Sequence, residues 1–330
     1  MIHIHLAKCC ETETRRGGAG EFPSLFDFVY FGEAADDDRK SMDRDARLKL
    51  VLITVTLGTA GALILQNGLR FPAADGIRPL GLCGLLTLVM WYYHRRGITR
   101  FVACLRSTVL LLAFTTSYTV LMYTAATLGR PLVDAYLVRC DAALGVHLPA
   151  IVAWSGRHPQ ITDCLQWSYN SLLYQTPVVL LLVGLAGSQR NLEAFVLQFM
   201  IAAWITILIF MWAPALGPFG SFGYPTNAAQ DRYLSHLESL RDGSRTVVTW
   251  RNAEGLITIP SFHTTWAVLL TLAFRDWKWV LPVAILLNAC VVISTLTSGW
   301  HYATDVIAGG IVAAVSVALA SASAGWRYPD

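Results

Sequence analysis

The chain has 330 residues, of which 55% are apolar and only 14% charged. A soluble domain carries about 25% charged residues, so a soluble globular domain of this length does not fit, and a disordered chain or nucleic-acid binder fits still less. The formal net charge of +3 is nearly balanced, so where the charges sit matters more than their sum.

Residues 1–47 lack the apolar run that a signal peptide requires. They are charged, with Asp36, Asp37 and Asp38 in a row, and are expected to form a disordered tail. Eight stretches of mostly apolar residues follow, at 48–69, 77–93, 103–128, 164–187, 192–213, 256–274, 279–298 and 302–323. Each reaches the roughly 17 residues needed to cross a bilayer. The expected fold is therefore all-α: a polytopic transmembrane helical bundle of about eight spans. Three N-terminal spans occupy 48–128. Residues 129–325 form a catalytic membrane domain, whose spans join the third span in a six-helix catalytic bundle.

Two connections are long. Residues 129–163 hold an amphipathic stretch at 133–154. Residues 214–255 open with Pro214-Ala215-Leu216-Gly217-Pro218-Phe219-Gly220, which cannot continue a helix. A loop of about 40 residues in a compact protein reads as a lid or binding segment. Eight spans put both termini on one side. That side carries 16 of the 25 Lys and Arg residues and the opposite side 9. The positive-inside rule places the termini in the cytoplasm. Trp91, Tyr92, Tyr93, Trp250, Trp277, Trp279 and Trp300 flank spans, as interface belts do. The seven cysteines show no zinc spacing and read as unpaired residues, Cys140 and Cys164 being the one pair placed to bond.

The chemistry lies in Pro260-Ser261-Phe262-His263 and in Ser294…His301-Tyr302-Ala303-Thr304-Asp305. His301 and Asp305 are four apart at the start of the last span and share a helix face. A carboxylate there holds one imidazole nitrogen as a donor and leaves the other as a nucleophile. The unpaired N–H groups of that helix start suit a phosphate. Pro260 suits a helix start, with Ser261 or Thr258 as its cap, and puts His263 one turn inside. The sixth and eighth spans run in the same direction, so the two motifs meet on the non-cytoplasmic side. Ionisable groups are expensive in a membrane, and three converging on one end mark a functional site.

Pro-Ser-Phe-His followed by Ser-x6-His-Tyr-x-x-Asp resembles the second and third signature motifs of the phosphatidic acid phosphatase type 2 superfamily. Tyr302 and the run Asp305 to Gly309 are most similar to its inositolphosphotransferase branch, which includes inositol phosphorylceramide synthases. Asp134, Asp141, Gly145, Tyr169, Gln175 and Gly217-Pro218 are also similar to bacterial members, and the resemblance covers about residues 130–325. It implies that His301 attacks phosphorus to give a phosphohistidine, that Asp305 orients it, and that His263 is the general acid and base. Ser261, Ser294 and Arg130 would face the substrate phosphate, and Tyr302, Tyr169 and Gln175 complete the candidate set. No metal or cofactor is implied.

Two positions depart from the family pattern. Thr295 stands where an arginine usually follows the serine, and Tyr123 stands where a lysine precedes Arg130-Pro131. The charge of a transferring phosphoryl group must still be met, which makes Arg130 the first candidate, then Arg232, Arg245 and Arg251.

The resemblance and the charge asymmetry together imply an integral membrane phosphotransferase with its site on the non-cytoplasmic face. Its partners are a lipid phosphoester, an alcohol or water acceptor and the bilayer, and not nucleic acid. Inositol-phosphate-type headgroup transfer is the first reading. Hydrolysis of a lipid phosphate or isoprenoid diphosphate is the second, and a transporter or flippase or a metal-dependent hydrolase are the remote ones.

Overall fold

The computed structural model describes the backbone of residues 36–250 and 253–324, and side chains from residue 44 onward. Twelve helices and no strands are present among the described residues: α1 Asp36–Asn67, α2 Ala73–Arg95, α3 Thr99–Ala126, α4 Asp134–Ala143, α5 Leu148–Arg157, α6 Pro159–Ala186, α7 Gln189–Trp212, α8 Pro218–Phe222, α9 Ala228–Arg241, α10 Phe262–Ala273, α11 Leu281–Thr297 and α12 Ala303–Ala324. Six of them, α1 (from Arg44), α2, α3, α6, α7 and α12, are long and apolar enough to cross a membrane. Residues 36–47, expected in the tail, are helical and extend α1; residues 1–35 lie outside the described residues.

Helix α7 is apolar all round beyond its first turns and lies at the centre, packed against α1, α3, α6, α10 and α12. An all-round apolar helix is stable only when surrounded by apolar neighbours or lipid. Helix α2 takes the second course: it packs on α3 and has no buried residue.

The expected sixth span is shorter than its apolar run. Its helix, α10, has 12 residues, about 18 Å at 1.5 Å per residue against a hydrocarbon core of about 30 Å. The run from 256 to 261 is held in a non-helical course. Leu256 N–H donates to Met122 Sδ (3.2 Å) and the Thr258 hydroxyl to the Ala215 carbonyl (3.0 Å). Ser261 then starts the helix, its hydroxyl accepting from Thr264 N–H.

The two long connections are largely helical. In the first, α4 and α5 meet at a bend of 81°. The second contains α8 and α9. Asn227 caps α9 and Gln230 reaches back to the Asn227 N–H, a capping box that holds the helix start. Tyr233, Leu237 and Leu240 of α9 pack into a core with Tyr123, Phe219 and Leu256. The segment read as a lid is in good part a wall of the bundle. Cys140 and Cys164 are free thiols.

Candidate active site

The starts of α10 and α12 lie side by side because small residues let the two helices touch. Gly309 faces α10, and a Cβ on it would collide with the Ser261 carbonyl. In its absence Thr265 Oγ1 donates to the Gly309 carbonyl at 2.8 Å, and Ser261 N–H donates to the Asp305 carbonyl at 3.0 Å. This contact brings His263 Nδ1 to 3.1 Å from His301 Nε2. His263 Nε2 lies 2.8 Å from the Tyr169 hydroxyl of α6, and the two rings stack with centroids 4.7 Å apart.

His301 sits in the turn between α11 and α12, where Gly299 adopts φ +72°. Its N–H donates to the Thr295 carbonyl at 3.2 Å. Thr295, at the place of the expected arginine, is therefore part of the support of the histidine. Burial lowers the His301 pKa to about 4, with the Thr258 backbone acting in the opposite direction, so the imidazole is neutral at physiological pH. Asp305 Oδ2 lies 3.6 Å from His301 Nδ1, beyond hydrogen-bond range, and accepts instead from the Tyr302 N–H at 3.0 Å. The other Asp305 oxygen and His301 Nδ1 are both buried without a hydrogen-bond partner among the described residues.

Two carboxylates from α4 fix this turn. Asp141 accepts from Ala303 N–H (2.9 Å), Thr304 N–H (2.8 Å) and the Thr304 hydroxyl (2.7 Å). Asp134 accepts from Leu216 N–H and Gly217 N–H, both at 2.9 Å, and from the Tyr302 hydroxyl at 3.0 Å. The N–H groups at the start of α12, read from sequence as open to a phosphate, are thus taken by protein carboxylates. Asp134 and Asp141, which the sequence singles out through the family resemblance but gives no role, thus support the site across more than 80 residues, a separation that local patterning does not read.

The remaining candidates are more dispersed. The Ser261 hydroxyl is buried in the helix cap, and the Ser294 hydroxyl bonds back to the Val291 carbonyl at 2.6 Å. Arg130 is exposed and stacks over Trp212 at 5.0 Å. Gln175 donates to Ser171 Oγ (3.1 Å) and lines a separate groove between α6 and α11. Arg232 pairs with Glu254 at 2.6 Å, Arg245 bonds Ser239 at 2.8 Å, and Arg251 lies outside the described residues. Tyr123, at the place of the expected lysine, accepts from Glu254 N–H and is bonded to His236 Nδ1, each at 2.8 Å. It fastens the 253–256 strand of chain over the bundle.

A cavity of about 590 Å³ opens beside the pair, enclosed by α3, α6, α7 and α10. His263 and Glu254 lie at one end of it and Thr108 and Leu111 at the other. The hydroxyls that line it have partners within the protein. Thr108, Thr115 and Thr119 bond to carbonyls of their own helix, Tyr118 bonds the Ala203 carbonyl, and Thr176 accepts from the Trp266 indole. The wall is carbon over most of its length, and no Lys or Arg lines it among the described residues. Such a volume fits a small-molecule ligand, and such a wall fits a hydrocarbon chain.

A profile of the PAP2 superfamily matches residues 135–319, which include both histidines, Asp305, Tyr169 and Asp141. No curated protein and no solved structure matches the chain.

Proposed function

The chain belongs to the PAP2 superfamily, a family of phosphatases and phosphotransferases, and from that premise we propose that it moves a phosphoester group from a lipid through a phosphohistidine on His301. The observation that carries this reading is the His263–His301 contact at 3.1 Å, with His263 lining an apolar cavity. His301 Nε2, neutral by burial, attacks phosphorus. His263, protonated in the presence of the anionic substrate, gives its Nδ1 proton to the leaving oxygen. The phosphoryl group, with its headgroup, now sits on His301. An incoming hydroxyl then loses its proton to His263 Nδ1 and attacks phosphorus, which releases the product and restores both imidazoles. Asp305 supports the ring charge once a small rotation closes the gap to His301 Nδ1; such contacts commonly tighten only with substrate bound.

The preferred donor is an inositol-phosphate-type lipid and the preferred acceptor a lipid hydroxyl. This choice is supported by the likeness of His301-Tyr302-x-x-Asp305 to the inositolphosphotransferase branch. The test is to supply phosphorus-labelled lipid to the purified protein with and without alcohol acceptors, and to trap label on the protein. Label on His301 that passes to the alcohol is the expected result. Label that passes only to water makes the protein a hydrolase. No label in the wild type, or label retained in His301→Ala, removes the mechanism. In His263→Ala, an alkyl phosphoester should react about 10²–10⁴-fold more slowly, while a nitrophenyl ester, whose leaving group needs little protonation, should still label His301.

A further inference from the structure

His263 has no carboxylate bonded to it among the described residues. Its two nitrogens face Tyr169 Oη at 2.8 Å and His301 Nε2 at 3.1 Å. In a neutral imidazole one nitrogen donates and the other accepts. A His301 Nε2 that carries a free lone pair must accept from His263 Nδ1–H. His263 Nε2 must then accept as well, and needs a donor in front of it. A tyrosine hydroxyl, protonated at neutral pH, is such a donor. In the opposite arrangement His263 Nε2–H donates to the Tyr169 oxygen, His263 Nδ1 accepts from a His301 Nε2–H, and the attacking lone pair is lost.

We infer that Tyr169 is a positioning residue whose hydroxyl holds the resting His263 in its Nδ1–H tautomer, which leaves His301 Nε2 unprotonated and keeps the His263 proton on the nitrogen that faces the nucleophile. The functional half of this inference rests on His301 being the nucleophile; the tautomer half does not. A hydroxyl also suits the later states. When His263 takes up a proton at Nε2 with the anionic substrate, the Tyr169 oxygen turns from donor to acceptor. It remains an acceptor while the neutral ring, protonated at Nε2, offers Nδ1 as the base for the incoming hydroxyl. That hydroxyl's proton goes to Nδ1, and the Nε2 proton leaves with the product. A carboxylate at this place only accepts, and would lock the resting ring in the wrong tautomer. The stacked ring holds the imidazole plane, so Tyr169→Phe removes the hydroxyl and keeps the stack.

The experiment is nitrogen NMR of histidine-labelled full-length protein at neutral pH, with His263 assigned by its loss in His263→Gln. Expected in the wild type is a pyrrole-type Nδ1 and a pyridine-type Nε2 on His263. Expected in Tyr169→Phe is loss of that pattern, with turnover of an alkyl phosphoester lowered about tenfold or more at unchanged KM. A wild-type His263 protonated at Nε2, or the same Nδ1–H tautomer in Tyr169→Phe, overturns the inference. The first of these needs no variant. If the tautomer behaves as expected and no label reaches His301, the transfer mechanism fails and the positioning of His263 stands. Label on His301 with an unchanged tautomer gives the reverse.

Discussion

At the scale of single residues, burial gives His301 the neutral state that its proposed role as nucleophile needs. A histidine in water is half charged near pH 6.5. Here the pKa is lowered to about 4, so the lone pair is lost only when the pH falls below that value. The sign gives a prediction. With a nitrophenyl ester, where no proton need be supplied, the nitrophenol burst should hold its rate from about pH 8 down to about pH 5 and fall only near pH 4. Rapid-quench measurement of the burst across that range checks it; a fall centred near pH 6.5 would mean a solvated imidazole. His263, His301 and Asp305 were legible in the sequence because their spacing puts ionisable groups at two helix starts. The hydrogen bonds of Ser261 and Ser294 were not, since a hydroxyl that caps a helix or bonds back to its own turn has the same letter as one that meets a phosphate.

At the scale of elements, the site depends on two joints. The first is the crossing of α10 and α12 at Gly309. Gly309→Ala pushes against the Ser261 carbonyl and separates the histidines, whereas a Cβ at the neighbouring Gly310 meets nothing. Gly309→Ala should lose activity about 10²-fold, as ångström-scale misplacement of a reacting group does, and Gly310→Ala should keep it; phosphotransfer assays on both folded variants check this. The second joint is Asp141, whose carboxylate satisfies three donors at the start of α12. Asp141→Asn brings an amide N–H against those donors. It should destabilise the turn by about 1–3 kcal/mol, read as a lower melting temperature in detergent together with weakened labelling of His301. The apolar runs gave the long helices and their order, but the polar interior of the connections stayed hidden. Asn227-Ala228-Ala229-Gln230 carried a capping-box pattern that marks α9. Asp134 and Asp141 act across 162 to 168 residues from their partners near His301, a separation that no helical or strand period encodes.

At the scale of the whole molecule, polarity is divided between the two ends of the bundle. One end holds the histidine pair. There the connections tie to one another: Asn67 donates to Thr127 Oγ1, Arg70 N–H donates to the Thr246 carbonyl and Trp250 N–H to Asp75. The other end holds a buried ion cluster in which Lys49 pairs with Asp45 and Glu193, and Arg106 pairs with Glu193. Arg106 and Tyr123 on α3 are separated by about 25 Å at 1.5 Å per residue, so the cluster lies far from the histidines. It also changes how one charge is read: Lys49, counted from sequence among the basic residues of the tail, is buried and joins α1 to α7 through Glu193, which Arg106 ties in turn to α3. The remaining basic residues on that side still outnumber those at the histidine end, so the expected orientation puts the histidines outside the cytoplasm. Single cysteines at Ser235 on α9 and at Arg96 between α2 and α3, in a chain whose seven native cysteines are replaced, report the sides. An impermeant thiol reagent applied to intact cells should label Ser235→Cys and spare Arg96→Cys until the membrane is opened. The reverse pattern turns the molecule over and puts phosphotransfer on the cytoplasmic leaflet, with the fold and the histidine pair unchanged.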